Sequence, residues 1–188
     1  MDTYLLIYDG FALFEIVFTC LFMKRIGEIK VVALEEKEVV SVEGLTTKPN
    51  LLLREVNTSD VDLLVIPGGD ARKIYGSPEL DELLRELNSG KKVIAAICAS
   101  PVKLAKAGIL DGKRYTVDKP ELVTYENDFR NSVFVDESVV VDGNIITAKP
   151  NGYLDFAVEI GKKFRVFESD KDIDETIKSL RYRKDRSN

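Results

Sequence analysis

The runs "VDLLVIPGG" (Val61–Gly69) and "KKVIAAI" (Lys91–Ile97) constrain the fold of this chain more than any other feature. The centre of each is apolar without a polar break. A half-buried strand alternates polar with apolar residues, whereas an unbroken run belongs to a strand covered on both faces, as in the middle of a parallel sheet. "TYLLIY" (Thr3–Tyr8) and "IKVVALE" (Ile29–Glu35) read as further strands, and "EVVSVEG" and "LLLREV" as short ones around Lys48-Pro49-Asn50.

Helical segments stand between these runs. "FALFEIVFTCLFMKRIG" (Phe11–Gly27) predicts a helix apolar nearly all round, covered on more than one side. "SPELDELLRELNSG" has Ser77 as N-cap, Pro78 at the first helical position and Gly90 at the end. "SPVKLAKAG" and "GYLDFAVEIGKKF" follow as helices, with a hairpin in "SVFVDESVVVDGNIITA" turning at or beside Asp142-Gly143. In the last helix Ser169 and Asp172 are spaced as a capping box, and Ile173, Ile177 and Leu180 share a face. Alternating strands and helices predict an α/β fold, a mostly parallel central sheet flanked by helices. No linker or repeat divides the 188 residues, so a single domain over 1–188 is expected, with its C-terminal helix at about 170–185.

The formal charge of −5 argues against an extended nucleic-acid surface. The basic cluster "RYRKDR" (Arg181–Arg186) reads as a solvated helix end. Cys20 and Cys98 form no CxxC pair, and with no histidine in the chain a structural zinc site is not expected. No apolar run approaches the ~20 residues of a membrane span, and the opening residues read as a strand rather than a leader. These features predict a cytoplasmic protein with reduced thiols and no membrane partner. The sequon Asn57-Thr58-Ser59 is then a chance match.

Three places could carry chemistry. Cys98 ends the strand "VIAAI" and precedes a helix, with Ala96, Ala99 and Ser100 around it. A nucleophile elbow needs small residues at such a turn, and the helix amides beyond would lower the thiol pKa. The same cysteine also reads as a small buried hydrophobe. Pro67-Gly68-Gly69 falls at the carboxyl end of the adjacent strand, where open α/β sheets bind ligands. The Gly69 and Ala99 N–H groups would together make an oxyanion hole, or the glycines simply make a tight turn. Glu15 is the sole acidic or basic side chain of the Asp, Glu, Lys, Arg and His types between Phe11 and Met23. Among aromatic helical neighbours its carboxyl group would be desolvated and held neutral, unless that face meets water or a cation. Cys20, on the same apolar helix, reads as core.

"YDGFALFE", "VIPGGD", "AAICASPVKLAKAGILDGKRYT" and "NIITAKPNGYLDFA" occur in one order across nearly the whole chain. In these motifs the chain resembles the DJ-1/PfpI (ThiJ) family of the class I glutamine amidotransferase-like superfamily. The resemblance implies a flavodoxin-like three-layer sandwich, usually a homodimer, with a reactive elbow cysteine at Cys98 and an acidic residue, Glu15, against it. It implies oxyanion-hole amides at Gly69 and Ala99, and a pocket reaching Gly68, Tyr115, Asp118 and Lys149. Protease-like members carry histidine directly after the cysteine, where Ala99 stands; DJ-1-like members carry one in the segment reading "RYTVDKP", where Tyr115 or Asp118 falls. The resemblance therefore predicts a small-molecule enzyme acting on reactive carbonyls, glyoxalase- or deglycase-like, with Cys98 as nucleophile and Glu15 as acid and base. No metal or organic cofactor is required. The alternative is a non-catalytic redox or stress sensor through oxidation of Cys98. Amidase or peptidase chemistry comes third, since no Cys-His pair exists.

Overall fold

The computed structural model describes residues 1–181. β1 (Asp2–Ile7) lies mid-sheet, with β2 (Glu28–Ala33) parallel on one side. β3 (Val39–Val40) and β4 (Thr46–Thr47) form a small separate hairpin, and β5 (Leu51–Leu52) is the edge strand beyond β2. The chain then crosses to the other side of β1 as β6 (Leu63–Ile66), followed outward by β7 (Val93–Ile97). β8 (Arg114–Tyr115) and β9 (Val133–Phe134) pair apart from the main sheet. The hairpin of β10 (Val139–Asp142) and β11 (Ile145–Ala148) completes that sheet in the order β10-β11-β7-β6-β1-β2-β5, parallel except for β10. Every residue of β6 and β7 is buried, as their unbroken apolar runs require.

α1 (Val17–Met23) packs with α6 (Tyr153–Lys163). α2 (Arg72–Tyr75) and α3 (Pro78–Ser89) both pack with α4 (Pro101–Lys106), and α3, α4 and α6 all contact β7. α5 (Lys119–Thr124) follows β8, and α7 (Asp170–Arg181) lays Ile173 against α6 and Phe22. The Ser77 hydroxyl accepts the Leu80 N–H as the cap of α3, and the Ser169 hydroxyl accepts the Asp172 N–H ahead of α7. The cluster "RYRKDR" lies outside the described residues from position 182 onward.

Three expectations are corrected. "EVVSVEG" and "LLLREV" form only the two-residue strands β3 and β5, and Leu53–Glu55 closes into a 3-10 turn. The first helix begins at Val17 instead of Phe11, so Glu15 sits in the turn leading into it. Tertiary acceptors hold this turn open: the Glu43 carboxylate accepts the Leu13 and Phe14 N–H groups (3.2 and 2.9 Å), and the Gly68 carbonyl accepts that of Ala12 (3.0 Å). Local periodicity carries no trace of partners so distant in sequence. Nor is α1 covered all round, because Phe14, Val17 and Leu21 are nearly half exposed on one side.

Candidate active site

β1, β6 and β7 end at the same edge of the sheet, around the point where the strand order reverses, and the segments beyond them converge there. Cys98 follows β7 with φ +64°, a left-handed conformation that costs an L-residue roughly 1–2 kcal/mol. Two backbone bonds hold it: its N–H donates to the Ala148 carbonyl (2.9 Å), and its carbonyl accepts from Asp118 N–H (3.1 Å). The elbow therefore leans on β11 on one side and on the start of α5 on the other.

Glu15 is 2% exposed. Its Oε2 accepts the Gly68 N–H at 2.7 Å, and its carboxyl group shares with the Cys98 side chain the space above Gly68. Gly68 must be glycine, because a Cβ there would collide with Cys98 and come within 2.7 Å of Glu15 Oε2. Burial pushes Glu15 up to about 7, opposed by the Gly68 N–H and the Cys98 side chain, with the charges of Glu43 and Asp118 adding a smaller upward push.

The expectation of a depressed thiol pKa is corrected. Burial pushes Cys98 up to about 12, and the charge of Glu15 pushes the same way; the Gly69 N–H pulls it down by less. The helix beyond supplies little help. Pro101 has no N–H, and those of Ser100, Val102 and Lys103 donate to the carbonyls of Ile97, Ala99 and Ser100. At rest Cys98 is a thiol beside a carboxyl group that titrates near neutrality.

The Gly69 N–H faces the sulfur, and among the described residues no backbone carbonyl takes the Ala99 N–H. These are the two amides the sequence singles out as oxyanion donors. Next to them opens a cleft of about 470 Å³, lined by Gly69, Asp70, Arg72, Tyr75, Ala99 and Glu121 among others.

The remaining expected residues fall in different places. Asp118 caps α5 by accepting the Lys119 N–H (2.9 Å), close enough for its charge to push both Glu15 and Cys98 upward. Tyr115 is buried, stacked on Phe129 at 4.5 Å, its hydroxyl raised to about 12 by burial. Lys149 follows β11 and forms an ion pair with Asp136. Cys20 packs against the core, and burial pushes its thiol up to about 11. Sequence reasoning missed Tyr8, Tyr75 and Ser100, whose hydroxyls donate to the carbonyls around the elbow. A hydroxyl aimed at a carbonyl on another strand leaves no local signal.

Among the described residues, no cluster of three or more His, Cys, Asp or Glu side chains could hold a metal ion, and no helix is long and apolar enough to cross a membrane.

An open, mostly parallel α/β sheet with a strained cysteine elbow and a buried carboxyl group against it defines a flavodoxin-like protein of the cysteine-elbow class. The sequence model of the DJ-1/PfpI family matches residues 1–163, and the chain belongs to that family. It is 38% identical over 128 residues to an uncharacterized protein of Methanocaldococcus jannaschii, covering 67% of this chain and 62% of that protein, so less than two thirds of that relative's length is matched. It is 30% identical over 158 residues to a protein of Thermococcus kodakarensis named a deglycase, covering 82% of this chain and 93% of the relative. The crystal structure of DJ-1beta from Drosophila melanogaster superposes with a TM-score of 0.81 at 30% identity, over 95% of this chain and 96% of that one.

Proposed function

We propose that this protein is an enzyme acting on small reactive carbonyl compounds, α-oxoaldehydes such as methylglyoxal and their adducts, through covalent catalysis by Cys98. The observation that carries the reading is the contact of Glu15 with Cys98 beside the free amides of Gly69 and Ala99. Deglycase is the printed name of the Thermococcus relative, and the activity is carried to this chain as part of the proposal.

In the first step the Cys98 sulfur forms a bond to the aldehyde carbon while its proton passes to the Glu15 carboxylate. The carbonyl electron pair moves to oxygen, and the Gly69 and Ala99 N–H groups bind the oxyanion. Glu15 returns the proton to that oxygen, giving a hemithioacetal. It then removes the proton on the former aldehyde carbon and delivers it to the neighbouring carbon through an enediol, while the hydroxyl proton passes to the former ketone oxygen, leaving a thioester. Water hydrolyses the thioester, releasing a 2-hydroxy acid and the thiol; the sum is addition of one water to the oxoaldehyde. A carboxyl group that titrates near 7 suits both proton transfers, and it does the work usually given to histidine. The oxidation-sensor reading wants a resting thiolate, which burial of Cys98 beside Glu15 disfavours. The test is consumption of methylglyoxal by wild type, Cys98→Ala and Glu15→Gln; equal rates in all three would reject the reading.

We also infer that a second copy of this chain covers the open side of α1. Phe14, Val17 and Leu21 form one stripe, with Lys24 at its end and Val42 and Leu45 of the β3–β4 turn beside its start. Glu43 stands at the Phe14 end and Lys24 at the other. An antiparallel, two-fold pairing of α1 with its copy sets each Lys24 against the opposite Glu43, the self-complementarity a two-fold interface needs. A soluble homodimer in the cytoplasm, with a small molecule as the other partner and no nucleic acid, completes the reading.

A further inference from the structure

One phenol O–H, with its single proton, is shared between two successive carbonyls at this site. Tyr8, buried just past the end of β1, places its hydroxyl 2.6 Å from the Pro67 carbonyl oxygen and 2.7 Å from that of Gly68. In an extended strand successive peptide units face opposite ways. Here both carbonyls turn to the same hydroxyl, and the next residue, Gly69, takes φ +92°. A peptide unit is planar and trans, so its N–H points away from its carbonyl. The N–H opposite the Pro67 carbonyl is that of Gly68, which donates to Glu15 Oε2 at 2.7 Å. The N–H opposite the Gly68 carbonyl is that of Gly69, which faces the Cys98 sulfur.

We infer that Tyr8 is a positioning residue of the site: its hydroxyl, by collecting two successive carbonyls, aims one amide at Glu15 and the next at Cys98. The other donors to these carbonyls each serve one alone. The Ser100 hydroxyl donates to the Pro67 carbonyl, and the Ala12 N–H donates to that of Gly68 (3.0 Å). Tyr8 is thus the group that couples the orientation of the acid's partner to the orientation of the oxyanion donor. The glycines make this control tight. A Cβ on Gly69 would lie 2.8 Å from the Ala12 nitrogen, and one on Gly68 would lie 2.9 Å from the Cys98 sulfur, so the turn has no second packing to fall into. The inference rests on Cys98 and Glu15 being the reacting pair, but its test does not need turnover.

The experiment is Tyr8→Phe, which keeps the ring and removes the donor. Alkylation of Cys98 by iodoacetamide is followed by peptide mass spectrometry across pH, with Cys20 as internal control and the thermal midpoint as a measure of folding. Glu15, Asp118, Glu43, Tyr8 and Tyr75 are the titratable groups whose charge reaches the pair. The expected result is a Cys98 inflection moved to higher pH, with alkylation slowed roughly three- to tenfold at a fixed pH below it, as loss of one oriented hydrogen bond implies. Cys20 should be unchanged. A lowered thermal midpoint with an unmoved Cys98 profile would mean that the phenol only holds the fold, and would overturn the inference. Should Tyr8→Phe not fold, 3-fluorotyrosine at position 8 is nearly isosteric and a stronger donor; it should move the inflection downward, and no movement overturns the inference equally. Wild type inert toward methylglyoxal but shifted by Tyr8→Phe in alkylation would reject the proposed enzyme and leave the positioning role standing.

Discussion

Glu15 and Cys98 meet across the space left by the missing side chain of Gly68, and burial raises the pKa of both. Each group is the other's nearest proton partner. Burial disfavours the charged form of each, and in the proposed reaction a proton passes between sulfur and carboxylate without a histidine.

Glu15→Gln should abolish most carbonyl consumption and remove a pH inflection near 7 from the wild-type rate profile, since the amide keeps the Gly68 hydrogen bond but accepts no proton. An unchanged profile in the variant would assign the base elsewhere.

The same substitution should stabilise the fold at high pH. Glu15 titrates near 4.5 when unfolded and about 7 when folded, so between those values the native state holds a proton the unfolded chain has lost. Stability contributed by this group therefore falls as pH rises through that window, and above it the cost is on the order of 3 kcal/mol. Urea unfolding at pH 4 and pH 8 should show Glu15→Gln gaining on wild type only at the higher pH.

Gly68→Ala should eliminate Cys98 reactivity, because its Cβ meets both reacting side chains, whereas Gly76→Ala, with nothing within 4 Å, should be tolerated. Comparing Cys98→Gly with Cys98→Ala separates strain from chemistry. Both are inactive, but the glycine variant should be more stable by about 1 kcal/mol because φ +64° suits it.

Lys103 is fully buried at the first turns of α4, paired with Asp81 (2.7 Å) and donating to the carbonyls of Tyr75 (3.1 Å) and Ser77 (2.8 Å). Lys103→Ala leaves the Asp81 charge without its counter-ion and both carbonyls without their donor, and should destabilise the protein by roughly 3 kcal/mol, measured by denaturant unfolding. Lys103→Met, which refills the volume, should lose less than Lys103→Ala.

Leu21→Glu places a charge in the middle of the exposed α1 stripe. Sedimentation should find the wild type as a dimer and the variant as a monomer; a monomeric wild type would reject the proposed interface.

The buried strands were readable because β6 and β7 are apolar without a break, and α3 because Ser77, Pro78 and Gly90 punctuate it. The gathering of Cys98, Gly69 and Ala99 at one sheet edge was readable for a similar reason: parallel topology puts strand ends together, and small residues betray a sharp turn. Glu15 was legible as an anomalous charge in an apolar run, although its helical setting was not, since Glu43 and Gly68 hold that turn from afar. The amino-acid sequence alone thus determined the mostly parallel sheet and its flanking helices, because periodicity and local turn chemistry act between near neighbours. Tertiary structure alone decided that the thiol is raised instead of lowered, that Tyr8 governs two amides, and that one side of α1 stays open. Desolvation, charge proximity and hydrogen bonds between strands depend on distances that only the folded chain sets.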